Sequence, residues 1–127
     1  MTTQEIQELI DGYHYEDAEV KAVECNYFAD EVHVCYDDEN GNLISYHFLG
    51  CYKSIFDHVK EYDKFIPVRS MIQPQIPYFL QSVQIDETTD ENCHFWICRI
   101  NMWPLQIEIW CKDISIEKSD SAKTMEK

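Results

Sequence analysis

A chain of 127 residues with 24 acidic and 10 basic side chains carries a formal charge of −14, and 45% of it is hydrophobic. The apolar share is enough for the core of one domain and argues against disorder of the whole. The charge argues against direct nucleic-acid binding and against docking on anionic membranes, because both require clustered Lys and Arg.

The first element expected is a helix. Thr2 and Glu5 stand at capping-box spacing, and Ile6, Leu9, Ile10 and Tyr13 follow at i, i+3, i+4 and i+7, with Gly12 as a stop. The acidic stretch Glu16, Asp17, Glu19 then leads into alternating segments. From Val20 to Tyr27 one strand face carries Val23, Cys25 and Tyr27; from Glu31 to Asp37 one face carries Val32, Val34 and Tyr36, with His33 and Cys35 opposite. Asp37 to Asn42 separates this strand from Leu43 to Leu49, and Asn40-Gly41 offers the positive φ angles of a tight hairpin.

After Gly50, Ile55, Val59, Tyr62 and Ile66 recur at helical spacing between Ser54 and Asp57 at one end and Pro67 at the other, which predicts a second helix. The alternative is a strand through Ile55 and Phe56 that continues the sheet. Pro67, Pro74 and Pro77 punctuate an extended connection through Arg69, Met71 and Ile72. A meander then resumes with Phe79, Val83 and Ile85 on one face, a turn over Asp86 to Asn92, and Phe95 and Ile97 opposed to His94, Trp96, Cys98 and Ile100. Leu105, Ile107, Ile109 and Cys111 alternate next, while Ile114 and Ile116 change parity, which predicts a bulge near Lys112 or Asp113.

The expected fold is α+β, an antiparallel sheet of about six or seven strands with one or two helices, with an all-β sandwich as the alternative. Residues 1–116 read as one globular domain. Residues 117–127, with acids and bases in balance and almost nothing apolar, read as a frayed tail, so the whole net charge belongs to the folded part. The start of the chain is neither basic nor apolar and no run approaches a membrane span, so a cytoplasmic location is expected.

Cys25, Cys35, Cys51, Cys93, Cys98 and Cys111 sit in apolar stretches and read as buried free thiols. Cys93, His94, Cys98 and Cys111 come nearest to a zinc set, but an odd separation sends Cys93 and Cys98 to opposite faces of a strand. No metal or cofactor is therefore expected. Asp57-His58, His33 with Cys35, and Ser45 with His47 supply residue types for nucleophilic catalysis without its geometry, and a half-buried sheet histidine is the plainer reading. A pocket near His33, His47 and Cys51 would be the place for an enzyme or ligand-binding function.

Binding has better support. Asp37, Asp38 and Glu39 form one acidic tip, and Asp86, Glu87, Asp90 and Glu91 form another, although turns are also charged simply because they are solvated. Asn101-Met102-Trp103-Pro104 falls where a hairpin turn belongs yet presents Met102 and Trp103, types enriched at interface hot spots; the alternative is a Trp folded over the end of the core. The last two turns cap opposite ends of one strand, roughly 25 Å apart for about eight residues.

In size, acidity, strand-rich pattern and loops such as Tyr36-Asp37-Asp38-Glu39-Asn40-Gly41, the chain resembles the small immunity proteins that bacteria pair with secreted toxins. It is similar also to small inhibitors that mimic nucleic acid, including phage-encoded ones. The resemblance implies a non-enzymatic protein that neutralises a basic partner, such as a toxin, a nuclease or another nucleic-acid-binding protein, by occluding its active or nucleic-acid-binding surface.

Overall fold

The computed structural model describes residues 2–59 and 66–119, the side chains of Gln73 and Asp90 excepted. Helix α1 (Thr3–Gly12) is followed by strands β1 (Val20–Asn26), β2 (Glu31–Asp37), β3 (Leu43–His58), β4 (Ser82–Asp90), β5 (Cys93–Met102) and β6 (Leu105–Ser119), with two short 3-10 turns between β3 and β4. All strand pairs are antiparallel, in the order β1-β2-β3-β6-β5-β4. The fold is thus an antiparallel six-strand sheet with one N-terminal helix. It is mostly β, nearer in content to the all-β alternative, but built from one sheet rather than two.

The capping box forms as expected: the Glu5 amide donates to Thr2 Oγ1 (3.1 Å) and the Thr2 amide to Glu5 Oε1 (3.2 Å). Ile6 and Ile10 turn into the core. Gln7 adds a link no pattern announced. Its carboxamide donates to the Val83 carbonyl (2.9 Å) and accepts from the Ile85 amide (2.8 Å), so a side chain occupies ladder positions on the open edge of β4.

The long strands β3 and β6 pair along their lengths and are shared by two halves of the sheet. β2 joins β3 at Leu43 to Leu49, whereas β5 joins β6 at Leu105 to Cys111. Between the halves the sheet bends. Gly50 adopts φ +63°, and a Cβ placed on it would stand 3.1 Å from Lys112 Cβ. The parity change from Cys111 to Ile114 is present, but the extra residue is Tyr52 on β3, between the pairs Cys51↔Cys111 and Lys53↔Trp110, rather than one on β6. The sheet's two ends meet through a Glu19↔Phe79 bridge, reinforced by Val20 N–H to Tyr78 O (3.0 Å) and Leu80 N–H to Ala18 O (2.9 Å).

The inner face buries Val32, Val34 and Tyr36 of β2, Ile44, Tyr46 and Phe48 of β3, and Ile107, Ile109 and Cys111 of β6. Tyr36, Tyr46 and Phe48 stack edge-on, with centroids 5.7 and 6.3 Å apart. Burial pushes the Tyr36 hydroxyl up to about 12 and Tyr46 further still.

Several expectations are corrected. Residues 54–58 form no helix but continue β3, each paired with β6; a helix there would strip partners from residues 105–109 of β6. The rest of the expected second helix, 60–65, lies outside the described residues. Glu117 to Ser119 belong to β6 and pair with Leu43 to Ser45, so the ladder extends into what read as tail, and residues 120–127 lie outside the described residues. The expected turn over Asp86 to Asn92 shrinks to Glu91-Asn92, both at positive φ, because Asp86 to Asp90 pair with β5. The six cysteines are free, but only Cys98 and Cys111 are buried; Cys25 and Cys93 are exposed.

Candidate functional site

Of the acidic residues singled out by the sequence, Asp37, Asp38, Glu39, Asp90 and Glu91 lie at or next to a turn, whereas Asp86 and Glu87 lie within β4, and several are satisfied from within. The β2–β3 connection is a three-residue loop, Glu39-Asn40-Gly41, closed by Asp38 N–H to Asn42 O (2.9 Å) and Gly41 N–H to Asp38 O (3.1 Å). Only Gly41 of that loop is left-handed (φ 81°), not the Asn40-Gly41 pair. Asp38 is consumed by the turn: its Oδ1 accepts from the amides of Asn40 (2.9 Å) and Asn42 (2.8 Å), and its Oδ2 from Asn42 Nδ2 (3.3 Å). Slight burial opposes the charge, yet these donors outweigh it and hold the carboxyl below its ordinary value. Asp37 faces Lys21 at 3.5 Å, and Glu39 is exposed.

At the other acidic group, Asp86 pairs with Arg99 (2.6 Å) and Glu87 with His94 (2.7 Å), a hydrogen bond that lowers the Glu87 carboxyl. Arg99 also reaches Glu108 (2.9 Å). Glu91 is exposed in the turn. Asp90 ends β4, paired with Cys93.

Met102 and Trp103 part company. Met102 has no exposed area and packs in the core, so it is no surface anchor: it is the last β5 residue on the inward face, opposite Leu105. Trp103 lies in the turn and is 43% exposed.

His33 and His47 are cross-strand neighbours on the outer face, with ring centroids 4.3 Å apart. His33 stands 3.7 Å from Glu31 and His47 3.4 Å from Glu117. Cys51 lies past the bend, where burial pushes its thiol up to about 11. The expected pocket does not unite these three. A groove of about 290 Å³ runs instead over Ile55, Gln84, Arg99, Asn101 and Gln106, and another of about 340 Å³ beside β1 over Val20, Val23, Ile76, Tyr78 and Leu105. Among the described residues, no group of three or more His, Cys, Asp or Glu is placed to hold a metal ion.

Two exposed aromatic features were not legible as sites. On the outer face beyond the bend, Tyr52 (70% exposed) stacks on Phe95 at 5.0 Å; Lys112 Nζ lies 4.7 Å from the Phe95 ring, and Lys53 Nζ 5.1 Å from that of Trp110. At the β1–β2 tip, Tyr27 is 73% exposed and Phe28 fully so. Tyr27 was expected on the apolar face of a strand, but β1 ends at Asn26, which pairs with Glu31 and leaves Tyr27 to Asp30 as the loop. The available signal was local: two adjacent aromatics between Asn26 and Asp30-Glu31 interrupt the alternation just where a hairpin must turn.

The sheet thus carries exposed aromatic positions on its outer face and at the β1–β2 tip, and acidic side chains in its turns. A family model described as immunity protein PIM7 matches residues 2–118, nearly the whole chain. The chain belongs to this immunity-protein family. No curated protein matches it. The match covers α1 and almost all of the six-strand sheet, so the hairpin tips of this immunity protein and its outer aromatic face fall inside the family's span.

Proposed function

We propose that this immunity protein is a non-enzymatic cytoplasmic inhibitor that binds a basic toxin and neutralises it by covering its active or nucleic-acid-binding surface. The observation that carries the reading is the family match over residues 2–118, and the charge of −14 supplies its physics. A net negative field of this size accelerates encounter with a positive cleft, and desolvated apolar contacts then slow release.

The internal pairing of Asp37, Asp86 and Glu87 supports a long-range attraction carried by the summed field of the molecule rather than by one acidic tip. Glu39 and Glu91, exposed in the β2–β3 and β4–β5 turns, add to it locally, and Trp103 is partly exposed for contact. The test takes the product of the adjacent reading frame as the candidate toxin. Coexpression of the full chain should restore growth to cells producing that product, and the purified proteins should form a complex that loses affinity as salt is raised. Failure to protect, with both proteins folded and present, contradicts the reading.

A further inference from the structure

Glu24 to Asp30 are exposed without interruption, from the end of the edge strand β1 through the β1–β2 loop. Tyr27, Phe28 and Ala29 at its tip have φ of 52°, 58° and 67°. These are three successive residues bearing a Cβ in the left-handed region, where the Cβ crowds the following carbonyl. Gly or Asn would occupy such positions with less strain. The chain uses them elsewhere: Gly41 fills the left-handed position of the β2–β3 loop, and Asn92 fills one of the two at the β4–β5 turn.

A turn that served only to reverse the chain would gain nothing from Phe28. Its ring is left entirely in water and its backbone is strained, so both terms oppose it in the free protein. The ring term reverses sign when a partner covers the tip. The loop is also held in place beforehand. The Asp30 amide donates to Tyr27 O (3.1 Å), the Cys51 amide donates to Asp30 O (2.8 Å), and Asn26 pairs with Glu31 at the base. A fixed aromatic tip loses little freedom on binding.

We infer that Tyr27 and Phe28 are the anchor by which this protein docks into an apolar pocket on its toxin, a pocket rimmed by Lys and Arg that meet Glu24, Asp30 and Glu31. The inference rests on the functional reading above and adds to it the surface that docks. Charge selects this occupant. Three carboxylates around the tip, on a molecule of net −14, repel both a second copy of the chain and an anionic lipid surface. A basic-rimmed protein cleft is attracted at long range and buries the rings at short range.

The probe is the purified product of the adjacent reading frame, the candidate toxin, titrated with the full chain. Phe28→Asn removes the ring and suits a left-handed residue, so the variant should keep or raise the thermal midpoint while binding at least about 30-fold more weakly. Tyr27→Asn should act in the same direction, and Phe28→Trp should stay within a few-fold of the parent. If the parent binds and protects but Phe28→Asn and Tyr27→Asn, still folded, bind equally tightly, the tip is not the anchor and the immunity reading stands. If the parent itself does not bind, that reading falls and takes the anchor with it. Dimerisation abolished by Phe28→Asn, or binding to neutral phosphatidylcholine vesicles abolished by it, would assign the tip to a second copy or to lipid and overturn the inference.

Discussion

The two hairpin tips at either end of β2 are built on opposite terms. The β2–β3 loop has one left-handed position and fills it with Gly41; the carboxylate of Asp38 satisfies the neighbouring amides, and no large apolar side chain is exposed. The β1–β2 loop has three left-handed positions and fills them with Tyr, Phe and Ala, two of which present aromatic rings to water. The first tip agrees with turn chemistry at every position and serves to close a hairpin. The second departs from it at three adjacent residues, and that departure is what the proposed docking role accounts for.

That contrast can be broken or sharpened by substitution. The largest stability effect is expected at the relaxed tip: Gly41→Val puts a β-branched side chain at φ 81° and should lower stability by about 2–3 kcal/mol, read by urea denaturation. If Gly41→Val were neutral, left-handed strain would not distinguish the tips. Ala29→Gly should do the reverse, raising stability by about 1 kcal/mol and the melting temperature by about 3–6 °C. A loss of stability there would mean that the three-residue strain is absent in solution.

Asp38→Asn should cost about 1 kcal/mol at neutral pH by weakening charge-assisted acceptance from two amides. The pH dependence fixes its sign. The folded Asp38 carboxyl lies below the ordinary aspartate value of about 3.8, so its stabilisation is complete above that value and is lost as pH falls through the lower folded value. The difference between parent and Asp38→Asn should therefore be constant near neutrality and shrink toward zero in acid. A difference that grew on acidification would contradict the assignment.

The sequence was most legible where local chemistry and tertiary demand agree. Thr2 with Glu5 announced α1, and alternation located β2 at Glu31 to Asp37 and the start of β3 at Leu43, all as found. It misled where a pattern is shared by two structures. Ile55 and Val59 match a helical period, but pairing with residues 105–109 of β6 makes 54–58 a strand, and that partner lies too far along the chain for a local window to register. Met102 read as a turn residue because Pro104 follows closely, yet the turn comprises only Trp103 and Pro104, which leaves Met102 facing the core.

Asp37, Asp38, Glu39 and Glu91 stand in or next to turns as expected, but Asp86 and Glu87 belong to β4, and the pairing of the acidic residues could not be read. Whether Asp86 is free depends on Arg99 across β4 and β5, and that depends on register. The aromatic tip was missed because Tyr27 continues the alternation of β1, and the one local sign that pairing had stopped was the second aromatic, Phe28, directly after it.

The central claim is that attraction between opposite charges brings partner and protein together while buried aromatic contact holds them. The most direct measurement is the association and dissociation rate of the full chain with the proposed toxin partner over a range of ionic strength. The account predicts an association rate that falls steeply with added salt and a dissociation rate that barely moves. An association rate independent of salt would contradict it.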